Sequence, residues 1–131
     1  MLKFATVTLP ADPTMVAPDG SSVRVLLTLT GGSMAHFSLA PGQVSRAVVH
    51  RTVEEIWYVV NGRGAMWRCH GEHEAIVPLK PGVSLTIPVG TRFQFCADAG
   101  VLLSAIAVTM PPWPDNGEAE LVDGPWEASV G

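Results

Sequence analysis

The chain has 131 residues, enough for one domain with its own core, and 47% of them are hydrophobic against 15% charged, which excludes a disordered polar chain. A formal charge of −4 and the lack of any basic run argue against a nucleic-acid surface. No apolar run reaches the ~18 residues of a membrane span, and the opening MLKFATVTLPADP shows no secretory pattern, so a cytoplasmic protein without a membrane anchor is expected.

The 13 glycines and 11 prolines are spread along the chain, with short Val-, Ile-, Leu-, Thr- and Phe-rich runs between them. That punctuation predicts an all-β sandwich or barrel. Residues 3–9 alternate like a strand and stop at Pro10. Residues 11–18 are loop, Asp19-Gly20 is a turn, and residues 23–30 and 34–39 are strands bounded by Gly31-Gly32 and Pro41-Gly42. Residues 43–64 hold two strands broken near 51–53. In the second, Glu55, Trp57 and Val59 alternate with Glu54, Ile56, Tyr58 and Val60, which gives the strand two distinct faces.

Asn61-Gly62 predicts a tight hairpin, because both turn positions favour φ > 0, with residues 65–69 returning beside the preceding strand. Residues 70–74, HGEHE, read as a polar turn, with His70 and His73 at the surface. Strands follow at 75–79, 83–87, 91–96 and 101–109, separated by Pro81-Gly82, Pro88-Val89-Gly90 and residues 97–100. From Pro111 a tail rich in Pro and Trp runs to residue 131, with Pro111, Pro112 and Pro114 forcing an extended path. A single domain over 1–131 is expected, its core barrel at about 23–110. Cys69 and Cys96 have no metal spacing and make no disulfide framework, so they read as ordinary thiols.

A His and a Glu entering an apolar strand require a partner, a ligand or water. The spacing around them resembles the first motif of the cupins, the small jelly-roll barrels: Gly42, five residues, Val48-Val49-His50, four residues, Glu55, six residues, Gly62. The second motif resembles Gly82, five residues, Pro88-Val89-Gly90, two residues, Phe93, three residues, Ala97. The resemblance implies a double-stranded β-helix, or jelly-roll barrel. It also implies a degenerate metal motif: Val48 and Phe93 stand where histidines belong, Ala97 stands in place of Asn, and only His50 and Glu55 remain of the ligand set. Two ligands rarely hold a transition metal tightly. The expectation is that any divalent metal is bound weakly or not at all, with His50 and Glu55 as its ligands if one binds. His36 is a further candidate whose facing the sequence leaves open.

Two readings of His50 and Glu55 stand side by side: a hydrogen-bonded pair that fills the barrel without chemistry, or a general base and its orienting carboxylate. Alternation turns Trp57 inward with Glu55, Phe95 with Phe93, and Arg46 with Val48 and His50. Arg46 is then either a receiver for an anionic group at the mouth or a solvated rim arginine. The resemblance also implies a homodimer, with the 3–9 strand as a candidate for pairing across the interface.

Three functions are compatible with these residues. The favoured one is a cupin-fold protein that binds a small organic molecule in an apolar pocket at Arg46, His50, Glu55, Trp57, Phe93 and Phe95. The others are a metal-dependent oxygenase or isomerase with a further ligand, and a non-catalytic interaction or regulatory protein with a packed barrel.

Overall fold

The computed structural model describes residues 4–130. In chain order the strands are β1 (Met15–Val16), β2 (Ser22–Leu29), β3 (Gly32–Leu39), β4 (Val48–His50), β5 (Glu54–Asn61), β6 (Gly64–His70), β7 (His73–Leu79), β8 (Ser84–Ile87), β9 (Arg92–Ala97), β10 (Leu103–Met110) and β11 (Ala119–Leu121). A short 3-10 turn, Asn116–Glu118, precedes β11. No described helix is long and apolar enough to cross a membrane.

The strands form two antiparallel sheets, β1-β2-β3-β10-β5-β8 and β11-β4-β9-β6-β7. From β3 onward the chain crosses repeatedly between them: β3, β5, β8 and β10 lie in the six-stranded sheet, and β4, β6, β7 and β9 in the five-stranded one. That is the jelly roll. It leaves each sheet one inner face, and period-two alternation fills it. On β5 the inward residues are Glu55, Trp57 and Val59. Across from Trp57 and Val59, β10 presents Ala107 and Ala105, small side chains that leave room for the indole.

The core joins Leu39, Val59, Met66, Leu79, Leu85, Ile87, Phe95 and Leu103 around Trp57. Trp57 stacks on Phe37 at 5.6 Å between ring centroids and meets Phe95 edge-on at 5.0 Å. Truncating so large a buried ring costs about 3–5 kcal/mol. Val48 and Phe93 belong to the same cluster.

Three expectations from the sequence are corrected here. The Asn61-Gly62 turn makes no hairpin: β5 is flanked by β10 and β8, while β6 pairs with β7 and β9. Both edges of β5 are taken, so the turn carries the chain from one sheet to the other. Gly62 is still required, with φ +87° and a backbone pressed against the Leu102 carbonyl; Gly64 is pressed likewise against the Cys96 carbonyl. The tight hairpin is the next one, at Gly71-Glu72 between β6 and β7, closed by the His70–His73 pair.

The 3–9 segment is not a strand over its described residues 4–9, and Lys3 lies outside the described residues. The β2 edge it would need is occupied by β1. Phe4, Val7 and Leu9 are exposed, and the segment is tied down only at its end, where the Arg24 guanidinium donates to the carbonyls of Pro10 and Ala11 at 2.8 and 3.0 Å. The tail, finally, is more than an extended strap. Its β11 adds a strand to the five-stranded sheet beside β4.

Candidate functional site

The barrel holds a cavity of about 200 Å³ whose lining includes Trp57. Phe37, Val48 and Phe93 form much of its wall, and Trp113 from the tail closes one side. Its polar groups are Asp19, His50 and Glu55, with Ser33, Thr28 and Thr109 at other points of the lining.

His50 ends β4 and Glu55 opens the inward series of β5, and they are 5% and 4% exposed. Nδ1 of His50 lies 2.9 Å from Oε2 of Glu55. The approach is off the ring N–H axis, so this is a close polar contact and not an aligned hydrogen bond. Glu55 Oε1 accepts from the Trp57 indole N–H at 3.1 Å. The imidazole stands edge-on to Phe93 and Trp113 at 5.2 and 5.0 Å. Among the described residues its Nε2 has no hydrogen-bond partner, and the residue lines the cavity.

The tail positions this pair. Ala119 of β11 is the cross-strand partner of His50. Glu118, one residue earlier, is buried beneath the loop that separates His50 from Glu55. Its Oε1 accepts from the Thr52 N–H, from the Thr52 hydroxyl at 2.7 Å and from the Val53 N–H at 2.7 Å. Burial alone would push the Glu118 carboxyl up, but these donors, aided by His50, hold it below the usual carboxylate range. At the start of the tail the Trp113 N–H donates to Ser33 Oγ at 3.0 Å, which fixes Trp113 over the cavity.

Asp19 reaches the cavity from the loop before β2 and is 5% exposed. Its Oδ1 accepts from the Ser21 N–H at 2.8 Å and the Ser21 hydroxyl at 2.6 Å. Burial raises its pKa above the ordinary value, outweighing the Ser21 bonds, and the Glu55 charge adds to the rise.

Of the residues expected from the sequence, His50, Glu55, Trp57 and Phe93 meet at the cavity. Phe95 lies in the core behind Trp57 and does not line it. Arg46 does not line it either. Its backbone N–H donates to the Asp19 carbonyl at 2.7 Å and its Nη1 to the Pro18 carbonyl at 3.4 Å, so it braces the turn that carries Asp19. His36 sits on β3 between Arg24 and Ile106, on the face opposite Ala35 and Phe37, and so points away from the barrel interior. Burial, then the nearby Arg24 charge, lower its pKa.

Asp19, Trp113 and Glu118 were not recognised from the sequence. Only Asp19 carried a local signal: Asp19-Gly20-Ser21 forms a side-chain-to-backbone turn of the Asx kind, which had been read as a turn and no more.

The metal set of the fold does not fit these residues. Val48 and Phe93 are direct cross-strand partners on β4 and β9, so the two histidine positions are filled by one apolar plug. Among the described residues no three His, Cys, Asp or Glu side chains are grouped to hold an ion.

No family model matches the chain, and no curated protein matches it significantly. Solved structures do. The fold is that of the small cupin jelly-roll barrels. Streptomyces Pac13, described as a nucleoside dehydratase, superposes with a TM-score of 0.68 at 14% identity, over 90% of this chain and 92% of that one. An oxalate oxidase gives 0.61 at 21% identity, over 71% of this chain and 52% of that one. The cumin domain of Drosophila melanogaster CENP-C gives 0.63 at 16% identity, over 70% and 67%. Enzymes thus stand among the structural neighbours, and at these identities the likeness is one of fold.

Proposed function

We propose that this chain is a cupin-fold protein that binds a small organic molecule in the cavity of its barrel, against the His50–Glu55 pair and without a tightly held metal. One observation carries the reading: a buried imidazole that lines an apolar cavity of about 200 Å³, with Nδ1 facing a carboxylate. An engineered cavity of about 150 Å³ holds a benzene ring, so this space suits a ligand of one ring or a little more. Glu55 at Nδ1 favours the tautomer with its proton there and its lone pair at Nε2. The pair can therefore accept a proton from a bound ligand at Nε2, with Glu55 stabilising the resulting imidazolium. Pac13, whose described activity is a dehydration and which was solved with uridine in several variants, makes proton transfer in such a barrel a reasonable second reading.

The test is a fragment panel read by thermal shift and by tryptophan fluorescence, since Trp57 and Trp113 both line the cavity. Fragments that stabilise the wild type should lose their effect in His50→Ala and Trp113→Ala. A panel without any hit, or hits indifferent to both substitutions, would overturn the binding reading. Near-stoichiometric metal in chelator-free protein, lost in His50→Ala, would overturn the metal-free part and return the oxygenase or isomerase reading.

The proposal includes a second copy of the chain as partner. Ile56, Tyr58 and Val60 form a stripe on the outer face of β5, 47, 52 and 43% exposed, and Phe4, Val7 and Leu9 lie exposed without a ladder partner within the chain. A self-complementary contact would cover both.

A further inference from the structure

We propose that the cavity is selective for a small organic cation, an ammonium carried on an apolar or aromatic body, received by Asp19 and Glu55. This rests on the binding reading above and names its ligand class.

Among the described residues, the lining holds two carboxylates and one imidazole and neither lysine nor arginine. Arg46, the nearest candidate for an anion receiver, is turned to the Pro18 carbonyl outside the lining. The two carboxylates are not equally satisfied. Glu55 has the Trp57 indole on one oxygen and His50 against the other. Asp19 spends Oδ1 on both Ser21 donors, and its Oδ2 has no partner among the described residues. The residue that carries it lines the cavity and is only 5% exposed.

A buried carboxylate oxygen without a donor is costly unless something brings one. Asp19 feels the Glu55 charge, offset in part by His50, so a third negative group in the cavity is disfavoured and a positive one favoured. An ammonium supplies three donors and a compact charge. The aromatic walls suit the rest of such a ligand, because cations are attracted to ring faces and apolar bodies are removed from water. A carboxylate or phosphate would meet two carboxylates, with only the His50 imidazole to offset them.

Three probes of nearly one shape separate the cases: benzylammonium, benzyl alcohol and benzoate, titrated calorimetrically at pH 7 into the full chain. Benzylammonium should bind about tenfold or more tighter than benzyl alcohol, the scale of one charge-assisted contact, and benzoate should not bind. In Asp19→Asn the ammonium should fall to the affinity of the alcohol, while the alcohol is unchanged. Asn keeps the oxygen that accepts from Ser21, so the turn is preserved. Glu55→Gln provides a second variant, with a smaller loss expected because Glu55 is already partnered. Equal binding of ammonium and alcohol, preference for benzoate, or ammonium binding untouched in Asp19→Asn would overturn the cation assignment while leaving the pocket standing. Binding of none of the three would overturn both.

Discussion

Replacing Glu118 by Gln removes a charge and keeps an oxygen in nearly the same place. In the wild type that oxygen takes the N–H of Thr52, the hydroxyl of Thr52 and the N–H of Val53. Hydrogen bonds to a charged acceptor contribute about 1.5–3 kcal/mol, and neutral ones about 0.5–1.5. The loss is about 1 kcal/mol per bond, partly offset because a buried carboxylate no longer has to be desolvated. A net destabilisation of about 1–2 kcal/mol follows, or about 3–8 °C in melting temperature for a chain of this size.

The pH dependence is the sharper signature. The Glu118 carboxyl, against burial, is held below its ordinary range by the Thr52 and Val53 donors. Its contribution is therefore full above that range and is lost as pH falls through the folded pKa. Melting temperatures of wild type and Glu118→Gln, followed by calorimetry from about pH 7 to pH 3, should converge toward the acid end. Parallel curves, or coincident ones, would refute the reasoning. Glu118 does not line the cavity, yet the variant should also weaken ligand binding, because the loop it pins joins His50 to Glu55.

The remaining predictions concern the plug and the outer face. Val48→His with Phe93→His puts imidazoles on two paired positions beside His50 and Glu55. The double variant should gain near-stoichiometric cobalt or zinc by elemental analysis, at a stability cost of about 2–4 kcal/mol without metal from the loss of a buried aromatic. A folded double variant with no more metal than the wild type would show that these positions do not face one site. Tyr58→Glu should shift the chain from dimer to monomer in sedimentation equilibrium; an unchanged mass for both proteins would discard the second copy on that face.

Much of the barrel is legible in the residues because period two is strict. Once Trp57 must be buried, Glu55 and Val59 turn inward with it, and Ile56 and Tyr58 turn outward. Gly and Pro likewise mark where strands stop. Such rules assign faces, but they do not say which edges meet. Asn61-Gly62 carries the same local signal at a hairpin and at a crossing between sheets; only the prior occupation of β5 by β8 and β10 decides between them. Arg46 shares its parity with His50, yet the backbone between them leaves it against Pro18. Asp19 shows only as a turn; the other two members of the site arrive from far along the chain. Glu118 meets Thr52 across 66 residues and Trp113 meets Ser33 across 80, and neither carries a motif for the partner it finds.

The tail described above also splits the cavity by origin. The strands through β10 account for both sheets except β11, and all of the cavity lining except Trp113 and Ala119 precedes Met110. What the tail adds is attachment: Trp113 on Ser33, Glu118 on the loop between His50 and Glu55, and the mutual bonds between Gln94 and the Trp126 backbone. A chain interrupted at Met110 would therefore keep most of the lining and lose the groups that hold its His50–Glu55 pair in place.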